Sequence, residues 1–337
     1  MGAGPIMPPP SCRRRVWPPR GRVGRCRPPM LLVPSLVLAL LSQAPPAAAD
    51  GAVTLAAGGR PVLVYRSRRV EPPAGYLERV AAGNRIYARA RSGYIHPLYG
   101  LDGEELTLDW SVDHPHHRGI YWAWPEVRWG ERQGDLHALQ EVFSRPVGEA
   151  AVERRADGTV ALTAHNLWLW ADAAPVVFER VRITVREAAA DRRVIDLELR
   201  FEALADGITL ARRHTDTYGG LNVRLAPVDG LAFGHHAQAA NAAEPPRAWS
   251  TATGTWRGGR RRTTLAILEH PANPDFPGDF VTYEYLPWLQ PAFPRAGSRW
   301  PLRRGEPLTL RYRLLILPGD PDEDALAAAA AAYEEER

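Results

Sequence analysis

Lysine is absent from all 337 residues, so each of the 42 basic side chains is an arginine. A bias that uniform reflects genomic composition rather than function. Cysteine is nearly absent: Cys12 and Cys26 are the only two, and both fall within the first 49 residues. The chain beyond them is thiol-free, which excludes disulfides, cysteine nucleophiles and thiolate metal ligands there. Long apolar runs are missing too. The nearest, Met30 to Leu41, is shorter than the ~20 residues a spanning helix needs. No Gly-x-Ser-x-Gly elbow and no His-Glu-x-x-His occurs, which removes support for serine hydrolases and zincins. The glycine pairs Gly58-Gly59, Gly219-Gly220 and Gly258-Gly259 open no helix, so no nucleotide cofactor is expected. No repeat of fixed period is present, which speaks against a propeller.

What is present begins with a basic, Pro-rich leader. Arg13, Arg14, Arg15, Arg20, Arg22, Arg25 and Arg27 precede the apolar run, and Ala47-Ala48-Ala49 precedes Asp50. That order is expected of a secretory signal removed after Ala49, which predicts a periplasmic or secreted protein without an integral membrane segment. Seven of the 42 basic residues and none of the 38 acids lie in this leader, leaving 35 against 38. The basic balance therefore belongs to the leader, and the rest has no case for nucleic acid.

From Val53 onward the pattern is short strands between turn signals. Pro61–Tyr65, Arg85–Arg89, Thr263–Leu268 and Leu308–Leu317 read as strands, and Ala156-Asp157-Gly158 as a hairpin turn between Ala151–Arg155 and Thr159–Trp170. Val181, Ile183 and Val185 alternate with Arg180, Arg182 and Thr184, and Ile195, Leu197, Leu199 and Phe201 with Asp196, Glu198 and Arg200. Asp322 to Tyr333 is the one expected helix, with a Glu334-Glu335-Glu336 end that opposes the helix dipole and should fray. The expectation is an all-β protein: a large antiparallel β-sandwich over residues 50–320, followed by a short C-terminal helix at 321–337.

Chemistry concentrates in Asp109 to Trp124, which holds three histidines, two carboxylates, an arginine and three tryptophans. Pro115 favours an extended His114. Extended backbone then puts His114 and His116 on one side and His117 on the other. His114 and His116 would serve as metal ligands, or His116 and His117 as general acid and base; backbone-bonded histidines in a buried turn are the plainer reading. Arg118 is either a clamp for an anionic oxygen or the ion-pair partner of Asp109 or Asp113. Trp122 and Trp124 share one side of a strand and would stack on a sugar ring, or fill the core. A second cluster holds His214, Asp216 and Tyr218, with His214 and Asp216 facing the same way on a strand as an oriented base. A third, His270 and Asn273, sits in a loop stiffened by Pro271 and Pro274. His137 and His165 are read as structural, and His235-His236 lean the same way. No pair of carboxylates marks a glycosidase.

Five segments then fall in a recognisable order: His96-Pro-Leu-Tyr-Gly-Leu-Asp-Gly103, Asp113-His-Pro-His-His-Arg-Gly-Ile-Tyr-Trp-Ala-Trp124, Thr217-Tyr-Gly-Gly-Leu-Asn-Val-Arg224, His270-Pro-Ala-Asn-Pro274 and Gly305 to Arg313. Together they resemble the DUF6807 family, also catalogued as PmoA-like after a methane oxygenase. The resemblance implies a bacterial, often exported, β-rich protein found alongside sugar oxidoreductases and polysaccharide-degrading enzymes. It carries no established catalytic residues, and the Ala/Arg-rich stretch Ala237 to Arg262 departs from the family pattern. The expectation from residues and resemblance together is histidine acid–base chemistry on carbohydrate or a sugar-derived acid, of epimerase, lyase or hydrolase type. Its rivals are a non-catalytic carbohydrate-binding protein and a metal-dependent oxidoreductase. Under the preferred reading His116, His117, His214, Asp216 and Arg118 are catalytic. His96, Asp113, His114, Trp122, Trp124, Tyr218, His270 and Asn273 would hold the substrate.

Overall fold

Period-two alternation dictates the larger sheet. In the strand Arg193–Ala203 every second residue is buried, with Ile195, Leu197, Leu199 and Phe201 inward and Asp196, Glu198 and Arg200 outward. It pairs antiparallel with Ala174–Val185 on one side and Leu308–Pro318 on the other. Each such inward side chain contributes roughly 1.5–3 kcal/mol of burial. The computed structural model describes residues 51–234 and 248–336; the leader and His235-His236 lie outside them.

Among the described residues the strands form sheets of nine, seven and four members. The nine-stranded sheet runs Val228–Gly234, Trp249–Trp256, Thr263–Glu269, Leu308–Pro318, Arg193–Ala203, Ala174–Val185, Val160–Trp170 and Val142–Pro146, with Ala151–Arg154 also on Val160–Trp170. The expected hairpin at Asp157-Gly158 is that last pair. The described part of the divergent Ala237–Arg262 stretch contributes the strand Trp249–Trp256. The seven-stranded sheet runs Ala52–Ala57, Arg60–Arg66, Tyr94–Leu98, Ile120–Ala123, Gly220–Arg224, Trp288–Ala292 and Asp279–Tyr283. The two large sheets share one apolar core, the sandwich that the alternation implies. A polar staple crosses it. Glu179, buried on the nine-stranded sheet, accepts from Trp122 Nε1 (2.9 Å) on the other sheet and from Asn166 Nδ2 (2.8 Å) and Trp168 Nε1 (2.5 Å) on its own.

Two local expectations fail. Arg85–Arg89 is no strand; Ala82–Tyr87 is a 3-10 helix, in which Asn84 N–H donates to the Ala81 carbonyl and Ala88 N–H to that of Arg85. Alternation alone does not make a strand when no sheet edge takes up its backbone groups. The C-terminal helix Glu323–Glu335, capped by Asp322, does not end in loose acids. Glu336 is held by Arg313 (2.7 Å) and Arg186, two outward arginines of the nine-stranded sheet, and these ion pairs outweigh the unfavourable helix dipole. The helix packs Leu326 and Tyr333 onto Ala266, Leu268 and Leu315, covering that face. No helix among the described residues is long and apolar enough to cross a membrane.

Strand ends carry two constraints that solution measurements can read. Gly119, at φ 55°, begins the central strand Ile120–Ala123, and a Cβ there would meet the Ile95 carbonyl oxygen at 2.2 Å. Gly119→Ala should therefore destabilise the fold by about 2 kcal/mol or more, seen as a lower denaturant midpoint in tryptophan fluorescence. At the end of Thr263–Glu269, burial lifts the Glu269 carboxyl to about 7, against hydrogen bonds from Gly278 N–H and Asn273. A raised carboxyl favours the folded state below the unfolded value and loses that advantage as pH climbs through 7. Stability should fall by about 3 kcal/mol between pH 4.5 and 8, and Glu269→Gln should flatten that slope in pH-dependent urea melts.

Candidate functional site

The loop before Gly119 is pinned from below. Arg118 is fully buried, with Nε and Nη2 on the Asp109 carboxylate, Nη2 on Tyr94 Oη (2.5 Å), and the guanidinium 3.5 Å from the Trp110 ring centroid. Tyr76 Oη donates to the Ser111 carbonyl (2.6 Å) and Asn84 Nδ2 to the Asp113 carbonyl (3.0 Å). The chain then turns, with His117 N–H donating to the His114 carbonyl at 2.9 Å. That turn abolishes the extended geometry expected around Pro115. Instead of splitting to two sides, the imidazoles pack together: His114 stacks on His117 at 4.7 Å, and His116 meets His117 edge-on at 4.5 Å.

A fourth imidazole arrives from elsewhere. His137, read from sequence as structural, sits in a turn where Asp135 Oδ1 accepts from Ala138 N–H (2.8 Å). Arg91 donates to the His137 carbonyl (2.5 Å), and His137 Nε2 is bonded to Tyr121 Oη (2.9 Å). One ring nitrogen from each of His116, His117 and His137 lies within 4.8 Å of the other two. His116 Nδ1 and His117 Nδ1 are buried and have no hydrogen-bond partner among the described residues. Buried polar atoms are normally paired, so two orphans side by side point to a missing partner. Metal–nitrogen bonds of ~2.1 Å put tetrahedral ligand nitrogens roughly 3.4 Å apart. Closure on an ion would therefore shift the nitrogens by on the order of an ångström.

The three imidazoles lie in a cleft of about 380 Å³, walled by Tyr87, Tyr218, Tyr283, Tyr285 and Trp288 and edged by Asn84, Asp113, His114 and Arg213. The Trp288 ring is 4.2 Å from that of His117. Burial, then His114, Arg91 and Arg213, push His116 down to about 3. Burial first and neighbouring imidazoles and arginines second also hold His117 and His137 well below the usual histidine range. All three are neutral at physiological pH, the form that ligates metals. Burial opposes ionisation of Asp113, but the His114 hydrogen bond and Arg224 bring its carboxyl down to about 2.

Of the residues singled out from sequence, Asp113, His114, His116, His117 and Tyr218 meet in this cleft. The others do not. Arg118 is an internal ion pair with Asp109, out of reach of a ligand. Trp122 and Trp124 are buried, because Ile120–Ala123 is a central strand; Trp122 bonds Glu179, and Trp124 Nε1 donates to the Phe293 carbonyl (2.8 Å). His214 and Asp216 are exposed on the 3-10 turn Arg213–Thr215 and its cap, so strand periodicity does not place them together. His96 is partly buried, held to about 4 by burial, with Nδ1 on Thr107 Oγ1 at 3.1 Å. His270 and Asn273 fasten their loop: Asn273 Oδ1 accepts from Arg311 N–H (2.7 Å), and His270 packs edge-on to Tyr333 at 4.9 Å. His165 stacks on Phe178, in keeping with its structural reading. If the site holds a metal, the pair expected from sequence is His114 and His116; the imidazoles that converge are His116, His117 and His137, while the Nδ1 of His114 faces Asp113 (3.1 Å). His137, Tyr121 and Trp288 were not anticipated; nothing local in the sequence distinguishes them, because only the tertiary turn at Asp135–Ala138 brings His137 to the others.

A search of curated proteins finds no match to the chain. The family model DUF6807, described as a family of unknown function, matches residues 52–331, from the first strand into the C-terminal helix, and the chain belongs to that family.

Proposed function

We propose that this protein is an exported, metal-dependent enzyme acting on a carbohydrate or a sugar-derived acid in the His116–His117–His137 cleft. One observation carries the reading: three neutral imidazoles converge within 4.8 Å, and two of them have buried, unpartnered Nδ1 atoms. Three imidazoles without a carboxylate suit zinc, copper, iron or nickel and disfavour magnesium and calcium. A bound ion with three protein ligands supplies Lewis acidity and an acidified water at its open position. The chain's own groups do the rest. Tyr121 fixes the ring of His137 through Nε2, which holds that imidazole against the other two. The four tyrosines Tyr87, Tyr218, Tyr283 and Tyr285 offer apolar faces with polar tips, a surface matched to a hydroxylated ring, while Trp288 is buried behind them against His117. Acid–base chemistry by His116 and His117 alone has less support, because neither has a hydrogen-bonded carboxylate among the described residues to orient it. Export rests on the leader ahead of Asp50.

The aromatic wall by itself favours a second reading, a non-catalytic carbohydrate-binding protein. Sugar binding that survives loss of the histidines and vanishes when Tyr87 and Tyr218 are both replaced by alanine would establish it.

Untagged protein is expected to hold close to one equivalent of a transition metal by mass spectrometry, and metal-free protein to take up one equivalent of Zn²⁺. His116→Ala, His117→Ala and His137→Ala should each weaken Zn²⁺ at least ~100-fold, while His114→Ala stays within a few-fold. Failure of folded, metal-free protein to take up Zn²⁺, Cu²⁺, Fe²⁺ or Ni²⁺ would sink the metal reading. Tyr121→Phe should lose roughly 10- to 100-fold in Zn²⁺ affinity with the fold intact by circular dichroism.

A further inference from the structure

The carboxylates beside the imidazoles are already paired with arginines. Two carboxylates stand near the cleft, and an arginine takes each: Asp113 pairs with Arg224 (2.8 Å) and Asp135 with Arg213. A third arginine, Arg91, is buried behind His137, donates to the Leu136 and His137 carbonyls, and has no carboxylate partner among the described residues. Arg91 instead stands in the field of the buried Glu179 carboxyl, so the acids around the site are already engaged. Arg91, Arg213 and Arg224 are also the arginines whose fields reach the three histidines most strongly. Hydrogen-bond donors are also left over, since Trp288 Nε1 and Arg224 Nε are buried without an acceptor among the described residues. A divalent ion on three neutral imidazoles would add two further positive charges with nothing to offset them. In a partly desolvated site, charge of one sign draws in the opposite sign far more strongly than in water.

Resting on the metal reading above, we infer that the cleft selects a polyhydroxylated carboxylate, a sugar acid, over a neutral sugar. The carboxylate takes the open position at the ion, within the field of Arg91 and Arg213, where it offsets the charge of the ion. The hydroxylated body lies along Tyr87 and Tyr218, whose ring faces and polar tips suit alternating C–H and O–H groups. Arg213 is the arginine that itself lines the cleft and is partly open to it, so it is the direct donor to the anion. Arg91 and Arg224 act through their fields.

The test is calorimetric binding of D-glucuronate, D-gluconate, D-glucose and acetate to Zn²⁺-loaded and metal-free protein. At least one of the two sugar acids should bind the loaded protein at least tenfold more tightly than glucose and tenfold more tightly than acetate. Removing Zn²⁺ should weaken it at least tenfold. Arg213→Gln should weaken it tenfold while Zn²⁺ content is unchanged. Glucose binding as tightly as both acids overturns the selectivity for an anion. Acetate binding as tightly as both acids overturns the role of the hydroxylated body. If Zn²⁺ is not taken up at all, the metal reading fails separately. The inference about charge is then decided by metal-free protein alone: preference for glucuronate or gluconate over glucose upholds it, and no preference overturns it.

Discussion

The buried ion pair between Arg118 and Asp109 is the interaction on which the arrangement of the site depends. It joins the two ends of the loop that carries the histidines, and Tyr94 and Trp110 complete its cage. A guanidinium taken out of water is tolerable only with its donors largely met, and removing one partner of such a pair typically costs about 3–5 kcal/mol. Because Arg118 points inward, Gly119 must pass close to the Ile95 carbonyl, which requires its positive φ and the lack of a Cβ. With both loop ends fixed, the residues between them have no room to extend. They fold into the His114–His117 turn, and the imidazoles are pressed against one another.

An arginine-only chain extends the same solution across the fold. A guanidinium spreads five donors in a plane, so a single side chain can engage several acceptors at once. Arg212 reaches the Pro294 and Ala292 carbonyls and the Asp279 carboxylate, and Arg313 joins Asp196 to Glu336. Arg224 spans the Leu286 carbonyl and Asp113. These contacts tie loops to strands at places where an ammonium, with its compact and strongly hydrated charge, would meet fewer partners. The outer face of the nine-stranded sheet accordingly reads as rows of paired Arg, Asp and Glu, with the C-terminal helix docked where Arg313 and Tyr333 meet.

How much of this was legible in the sequence follows from which interactions are local. The strands Arg193–Ala203 and Leu308–Pro318 announce themselves, because period two and burial on one face are the same fact stated twice. The density of reactive groups in 109–124 also picks out the segment that brings Asp113, His114, His116 and His117 to the cleft. Residue roles within it do not follow, for three separate reasons. A turn between His114 and His117 breaks the alternation that would have sorted the imidazoles into faces. Ile120–Ala123 has a neighbour on each side and is buried on both faces, so Trp122 within it and Trp124 just after it belong to the core whichever way they point. His137 joins by a tertiary approach, with no spacing rule to foresee it. The segment around Asn84 and Tyr87 shows the converse error: its alternation suggested a strand, yet it forms a 3-10 turn beside the cleft.

The composition of the histidine cluster has its own physical logic. Asp113 lies within reach of His114 and on the edge of the cleft, and an unclaimed carboxylate there would be a natural fourth ligand. Arg224 claims it with two hydrogen bonds, at 2.8 and 3.1 Å, and His114 takes a share of one oxygen. The cost of burying the Arg224 guanidinium is offset by that pair and by the Leu286 carbonyl. What the pairing leaves behind is a cluster of three imidazoles suited to a transition metal, with the Asp113 carboxylate at the cleft edge already matched by Arg224. Arg224 thus holds the Asp113 carboxylate at the edge of the cleft, apart from the three converging imidazole nitrogens.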